Sequence, residues 1–385
     1  APFSHLLVEM EATGIPFDTD AAGEMLVRTE HEWMQRRARL VEATGAPGFN
    51  PGSGDQVAEY LYSETWTHPV KFEIPRLNGM TKEAKLEAVQ ALAPPGCVVA
   101  RVGRDYAYGT MELEGLELRP PKGKRNAPRK KRPSVSGKIL NVLHGHKAWV
   151  AEYVAWRKVD KLNGYLRDWI ARAHNGRLYG RFDQSGTITG RLSGKEPNLQ
   201  QVSHSAEVRD LFRGDLVVGD YAGLEARLAA HFSGDPLMLD IFREGKDLYG
   251  TLAARAWGGP ETKENPGRGL FKVVWLASQY GAQGETLAQT MAVAGLRGYT
   301  ARKADALLRD LENAAPRLFE WRNEVIEEAR YLGYVTTIGG RKRHLPDIGS
   351  AVWREMAKAE RQAVNSKVQG SAADVVRRAM LKARA

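Results

Sequence analysis

The chain has 385 residues, 43% of them hydrophobic and including nine Trp and thirteen Tyr, enough for two or three packed subdomains and too apolar for a globally disordered chain. A formal net charge of +10 favours a polyanionic partner, nucleic acid ahead of a membrane, although a soluble basic protein without such a partner carries the same balance. Cys97 is the single cysteine, which excludes a disulfide framework and a cysteine-based zinc site and suits a reducing compartment.

No run of about 18 apolar residues offers a membrane span. The opening Ala-Pro-Phe-Ser-His has no signal-peptide core and no initiator Met, which suggests a processed product or a fragment. Periodicity predicts helices over 4–12 and 19–44, broken at Gly14-Ile15-Pro16. After the loop Phe49–Ser53, a helix runs to about residue 62, with Ser53 or Asp55 as its cap. Between 66 and 118 the pattern weakens to short strand-like runs such as 97–102, and no role is assigned to that stretch. The segment 120–133 is proline-rich and basic, a solvated surface run that would also raise affinity for nucleic acid by counterion release. Helical periodicity returns over 136–174, and Gly176 with the short runs to Phe182 suggests a hairpin. Leu216–Gly219 reads as a short apolar strand ending at Asp220. Helices follow over 224–232, 236–243, 247–257, 267–280 and 300–332. A last one runs from about 350 to the end, with Gly370 as its interior weak point.

Four constellations carry chemistry. Asp220, at the end of a strand, would sit where a rigid backbone holds a carboxylate for a hard divalent cation; the competing account is a cap on a helix starting near Ala222. Arg268, Lys272, Leu276 and Tyr280 fall one turn apart, each rotated by about 40° from the last, so one helical face presents two cations, an aliphatic group and a phenol. Such a face suits a triphosphate, a sugar and a base, or is an ordinary basic surface with Tyr280 in the core. Arg361, Asn365 and Gln369 repeat the one-turn spacing with groups able to reach base edges in the minor groove, or else form a solvated polar face. The run Gln184–Ser193 with Pro197-Asn198-Leu199-Gln200-Gln201 is dense in hydroxyls and amides, suited to a sugar-phosphate backbone or to a generic polar loop.

In this order the motifs resemble those of family A DNA polymerases, the bacterial polymerase I type, of phage or bacterial origin. Thr189-Gly190-Arg191-Leu192-Ser193 with Pro197–Gln200 is similar to that family's primer-template loop. Asp220-Tyr221 with Glu225 and Arg227 resembles motif A, and Arg268-x3-Lys272-x7-Tyr280-Gly281 resembles motif B. Gly333–Thr337, Gly340–Arg343 and Leu345–Ile348 look like the stretch after the fingers, Glu360–Asp374 like the next palm helix, and Leu7–Ile15 like the start of the polymerase domain. The resemblance covers nearly all of the chain except about 66–118.

What the resemblance implies is a mainly helical α+β right-hand fold with an antiparallel palm sheet. Residues 1–20, 166–227 and 356–385 would form the palm, 21–165 the thumb with an insertion near 66–118, and 228–355 the fingers. The implied activity is template-directed DNA synthesis, adding dNMP to a primer 3′ end by two-metal phosphoryl transfer with Mg²⁺, or Mn²⁺ in its place. Asp220 and the carbonyl of Tyr221 would bind metal, and Glu225 would exclude a ribose 2′-hydroxyl. Arg268 and Lys272 would hold the triphosphate, with Lys272 donating a proton to pyrophosphate, beside Leu276 and Tyr280. Arg191, Asn198, Gln200, Arg361, Asn365 and Gln369 would line the primer-template minor groove. The implied partners are primer-template DNA and dNTPs, with no membrane, in the cytoplasm of a bacterial cell or a phage-infected host.

Several departures qualify the resemblance. Ala222 and Gly223 replace the usual Ser and Gln, Leu276 replaces an aromatic residue, and Tyr249 stands where a His is usual. The His-Asp-Glu of motif C, expected about thirty residues beyond Gln369, is not in the sequence. The expectation is an incomplete palm, with a downstream segment or a second polypeptide supplying motif C, and a fragment that binds DNA and dNTP with little turnover. Asp374 is a helix residue without a metal role in this reading. A single-subunit RNA polymerase and a non-catalytic DNA-binding accessory protein are the competing readings.

Overall fold

The computed structural model describes residues 2–77, 80–95, 97–116, 118, 135–136, 140, 147–214, 216–279, 281–296 and 298–384. Two units emerge, Ala22–Arg167 and Ala1–Ala21 with Asp168–Ala385, each with its own core. The basic run 120–133 and Tyr280 lie outside the described residues.

Helix α1 (Pro2–Thr13) stops at Gly14, whose φ of +62° and close approach to Leu178 O, 2.9 Å from an added Cβ, both require glycine. Strand β1 (Ile15–Pro16) and helix α2 (Thr19–Thr44) follow. Helix α3 (Gly54–Tyr62) begins where Ser53 accepts from Gln56 N, as the sequence predicts.

The unassigned stretch then forms a compact antiparallel sheet, β2 (Thr65–Glu73), β3 (Cys97–Val102) and β4 (Tyr106–Glu114) in the order β2-β4-β3. It is backed by α4 (Lys82–Leu92), which Thr81 caps. Alternate residues Val70, Val99, Ala107 and Met111 are buried on one face, while Lys71, Tyr106 and Tyr108 are exposed on the other. Strand periodicity is present here, but a helix interrupts the strands, so the signal is diluted. Helix α5 (Ala148–Arg172) adds Trp149, Tyr153 and Trp156 to a core with Phe49, Tyr60 and Trp66, whose rings meet mostly edge to face at 4.8–6.1 Å.

The hairpin expected at Gly176 forms only as a tight turn, His174 and Arg177 exchanging both backbone hydrogen bonds across Asn175-Gly176. Strand β5 (Arg177–Leu178) pairs with β1, and β6 (Arg181–Asp183) pairs with β7 (Ser193–Lys195). Apolar side chains decide this: Leu178 is fully buried, and Phe182 packs on the cluster of Phe3, Leu6 and Leu7 from α1.

Leu216–Gly219 is a second correction. It belongs to no ladder among the described residues, and Leu216, Val217 and Val218 are 46%, 102% and 89% exposed. β-branched side chains favour a strand, but strand N–H and C=O groups need a neighbouring strand, and none of the described residues supplies one. Past the short helix α6 (Ala206–Asp210) and this segment, helix α7 (Leu224–Ser233) starts at Gly223, so Asp220 is not its cap.

The remaining helices share one core. They are α8 (Pro236–Arg243), α9 (Leu248–Trp257), α10 (Arg268–Gln279), α11 (Gly284–Val293), α12 (Ala301–Ala314), α13 (Pro316–Leu332) and α14 (Trp353–Arg384). The sequence reading missed α11 and merged α12 with α13; Pro316, lacking an N–H, begins the new helix. Met238, Trp275, Leu287, Met291, Leu311 and Leu318 are at most 1% exposed, and each such side chain contributes about 1.5–3 kcal/mol.

The hairpin β8 (Tyr334–Thr336) and β9 (Lys342–His344) sits on α14. Gly370 is no weak point there: a Cβ would meet Thr337 Cγ2 at 2.5 Å, so the close approach of this turn needs glycine. Among the described residues no helix is long and apolar enough to cross a membrane.

Candidate nucleotide and nucleic-acid site

The loop between β6 and β7 is built by its own polar groups and then clamped from outside. Asp183 accepts from the backbone and hydroxyl of Ser185 and from Lys195, which holds its carboxyl down at about 2. Arg341 donates to Thr189 O and Gly370 O, and Arg377 to Gln184 O and Gly190 O. Gly190, at φ +81°, leaves 2.6 Å between an added Cβ and the Arg341 guanidinium, so any side chain there would expel the clamp. Asn198 and Gln200, both expected at DNA, use their carbonyl oxygens inside this loop, on Gln200 N and Gly194 N. Their amide NH₂ groups have no partner among the described residues.

Arg191, at the end of that loop, forms an ion pair with Glu225 on the first turn of α7. Two residues with separate sequence-predicted roles therefore hold each other. With side chains 53% and 27% exposed, the pair contributes no more than about 1 kcal/mol and can be exchanged for a better partner.

Asp220 and Tyr221 are exposed just before α7. Asp220 has neither a hydrogen bond nor an ion pair among the described residues, and no three of His, Cys, Asp and Glu are grouped there to hold a metal. A hard divalent cation takes six or more oxygens, so Asp220 and the Tyr221 carbonyl fit as two ligands of a larger set.

Helix α10 divides as its spacing requires. Phe271, Val274, Trp275 and Ser278 are buried, while Lys272 and Leu276 are exposed. Lys272 has no partner among the described residues, so its ammonium is free for a ligand. Arg268 is different: its Nε and Nη2 donate to the two oxygens of Asp247 at 2.8 and 3.0 Å. The same carboxylate caps α9 through Gly250 N. Burial opposes its charge, but the Arg268 and Gly250 hydrogen bonds prevail and hold its pKa below the usual value.

Tyr249 lies beneath this pair, with the Arg268 guanidinium 5.7 Å from its ring centre. Burial, with the charges of Asp247 and Glu225, pushes its phenol up to about 12. Tyr249 thus links the neighbourhoods of Arg268 and Glu225, which are far apart in sequence.

On α14, Arg361 is exposed, Asn365 half-buried and Gln369 buried, a gradient that follows from the rotation of the four-residue step. The stem of Arg361 lies on Gly281, directly after α10, with Cγ 2.9 Å from where a Cβ would stand. Asp374 accepts from Gly339 N and faces Arg341 at 3.6 Å, a tie between α14 and the β8–β9 turn.

Sequence reasoning missed Asp247, Arg341 and Arg377. Asp247 heads a predicted helix, but its grip on Arg268 spans 21 residues and leaves no periodic trace. The two arginines are ordinary basic residues until the loop they clamp is seen.

The model of DNA polymerase family A matches residues 111–385. Over 393 residues the chain is 29% identical to the thermostable DNA polymerase I of Thermus filiformis, covering 99% of this chain and 40% of that protein. It is 27% identical over 396 residues to DNA polymerase I of Chloroflexus aurantiacus, covering 99% of this chain and 35% of that one. The chain therefore spans about 40% of the length of the first of these curated relatives. Among solved structures, the POL domain of Pol1 from M. smegmatis, a complex with DNA primer-template and dNTP, superposes with a TM-score of 0.76. That match has 24% identity and covers 99% of this chain and 58% of that one, and it shows the same fold.

Proposed function

The chain belongs to DNA polymerase family A, and on that footing we propose that it carries out template-directed DNA synthesis, adding dNMP to a primer 3′ end. The observation that carries this reading is the cluster around Tyr249. Tyr249 lies under the Arg268–Asp247 pair and feels the charge of Glu225, which is paired with Arg191, and Lys272, without a partner among the described residues, lies one turn further along α10.

In this reading Lys272 and the outer edge of Arg268 hold the triphosphate. Asp247 takes Nε and Nη2 of the guanidinium and leaves Nη1 to a phosphate oxygen. Glu225, once Arg191 leaves it for the primer terminus, fills the space a ribose 2′-hydroxyl would need. The amides of Asn198 and Gln200, with Arg361, Asn365 and Gln369, face the minor groove. Two bound Mg²⁺ ions would supply the clamp on the attacking 3′-oxygen and the leaving pyrophosphate. Asp220 and the carbonyl of Tyr221 would hold them on this chain's side. The rest of the set includes a second carboxylate, which we place on a strand pairing with Leu216–Gly219, whose apolar side chains are exposed and whose residues join no ladder among the described residues.

We assign Ala22–Arg167 to the thumb, the helices from α7 to α13 to the fingers, and α1, β5–β7 and α14 to the palm. With DNA and dNTPs as substrates, the cytoplasm is where the protein would act. The test is primer extension with Mg²⁺ by this chain and by a form that includes a motif C hairpin, each given dNTPs or rNTPs. The reading requires dNTP incorporation by the hairpin-bearing form. DNA binding without incorporation by that form would favour an accessory role, and equal use of rNTPs a single-subunit RNA polymerase.

A further inference from the structure

A cavity of about 340 Å³ opens at the end of α10, between the Gly281–Ala282 turn, α12 and α13. Its lining joins Ser278, Leu308 and Phe319 to the charged and amide groups of Arg309, Arg322 and Asn323.

Arg322 is the anomaly. Its Nε is buried and meets no acceptor, and the guanidinium rests over Phe319 at 5.2 Å. Burial pulls its pKa down, with only the charge of Glu312 acting against that. A buried guanidinium N–H is normally paired, because leaving such a donor uncompensated costs more than an ordinary hydrogen bond gains. Neither carboxylate on the lining relieves it. Asp305 accepts from Gly284 N at 2.7 Å, and Glu312 is exposed at the rim. A second cation stands close by. The Gly281 position that the stem of Arg361 covers from α14 also has Arg322 Nη2 at 3.9 Å, so two arginines meet at one glycine.

Position separates this place from the triphosphate. Ser278 lies about 15 Å along α10 from Arg268 and about 9 Å from Lys272, and Lys272 is exposed on a face turned about 120° away from it, so the cavity does not share the triphosphate's cations. We propose that the cavity is a phosphate seat, and that it takes a backbone phosphate of the unpaired template strand, bound by Arg322 with Asn323 as a neutral donor. The proposal rests on the polymerase reading for its DNA.

The variant is Arg322→Met, which keeps chain length and apolar volume, with Arg322→Lys as the conservative control. Affinity is measured for a primer-template with a 5′ template overhang and for the blunt duplex of the same sequence. Melting temperature is measured with and without pyrophosphate. For the unaltered chain, the overhang tightens binding. In Arg322→Met that gain falls about tenfold and the salt slope on overhang DNA drops by about 0.7, while blunt-duplex affinity holds and the melting temperature rises. Arg322→Lys recovers part of the gain. Equal losses on overhang and blunt DNA with a lower melting temperature would show a merely structural arginine and overturn the proposal. Stabilisation by pyrophosphate that Arg322→Met abolishes, with the overhang gain intact, would overturn the template assignment. Failure of the unaltered chain to bind either DNA would fail the polymerase reading instead.

Discussion

Arg268 grips both carboxylate oxygens of Asp247, at 2.8 and 3.0 Å, and does so from the first residue of α10 to the residue that caps α9. A planar guanidinium held by two parallel hydrogen bonds is fixed in direction as well as place. Its remaining edge is therefore aimed before any nucleotide arrives. Replacing Asp247 by Asn removes one of those bonds and the charge. The dNTP dissociation constant of the DNA complex should rise by about tenfold, with duplex affinity unchanged. Titration of dNTP against preformed complex measures it; an unchanged constant would show that Arg268 needs no such aim.

The same pair sets a pH dependence. The Asp247 pKa is lowered on folding, so its contribution to stability is complete above the unfolded value of about 3.9 and is lost as pH falls through the folded value. The melting temperatures of the unaltered chain and Asp247→Asn should therefore differ at pH 6 and converge as pH falls below the ordinary carboxylate range. A constant difference across that range would mean that capping geometry, not charge, makes the contribution.

Arg191 and Glu225 lend themselves to a double-mutant cycle. If Arg191 leaves Glu225 for the primer terminus, Glu225→Gln frees it in advance. Primer-template affinity should then improve by about threefold, in proportion to a half-exposed ion pair. In an Arg191→Ala background the same change should do nothing. Additive effects would mean that the two residues act apart on DNA.

How much of this was legible in the sequence depends on the range of the interaction. The exposed row Lys272, Leu276 on α10 and the row Arg361, Asn365 on α14 follow from a period of 3.6, and both appear where the spacing places them. Ser53 announced its cap by its own chemistry. Asp247 with Arg268, and Arg341 with Thr189, are pairings between segments that only tertiary folding joins, and no local pattern encodes them. Leu216–Gly219 fails in the other direction: the local preference is for a strand, yet a strand is a property of two segments. The sheet between Thr65 and Glu114 was obscured for a simpler reason, since α4 interrupts it and its outer face mixes tyrosines with charges.

The thumb assignment makes a stability prediction. Trp149 is 7% exposed, stacks on Tyr153 at 5.1 Å, meets Phe49 and Tyr60 edge to face, and donates Nε1–H to Leu40 O. Trp149→Ala should cost about 3–5 kcal/mol by leaving a cavity among rings that cannot collapse together. Denaturant unfolding followed by the remaining tryptophans reads this. A loss below about 1 kcal/mol would show that the ring cluster is loosely packed.

Leu216–Gly219 and Asp220 separate catalysis from folding. Val217 is 102% exposed and Asp220 touches no partner among the described residues, so neither contributes measurably to the stability of the chain as it stands. Val217→Lys and Asp220→Ala should each shift unfolding free energy by less than about 0.5 kcal/mol and leave duplex affinity intact. Their effects on synthesis should differ in kind. Asp220→Ala removes the proposed metal ligand and should abolish incorporation even with a motif C hairpin present. Val217→Lys leaves that ligand but puts a charge where the proposed strand would bury an apolar side chain, so it should weaken capture of the hairpin. Incorporation by Val217→Lys should then recover as the hairpin, added as a separate polypeptide, is raised in concentration, whereas Asp220→Ala should stay inactive. Full activity of Val217→Lys at the lowest hairpin concentration would show that this segment is not where the second carboxylate docks.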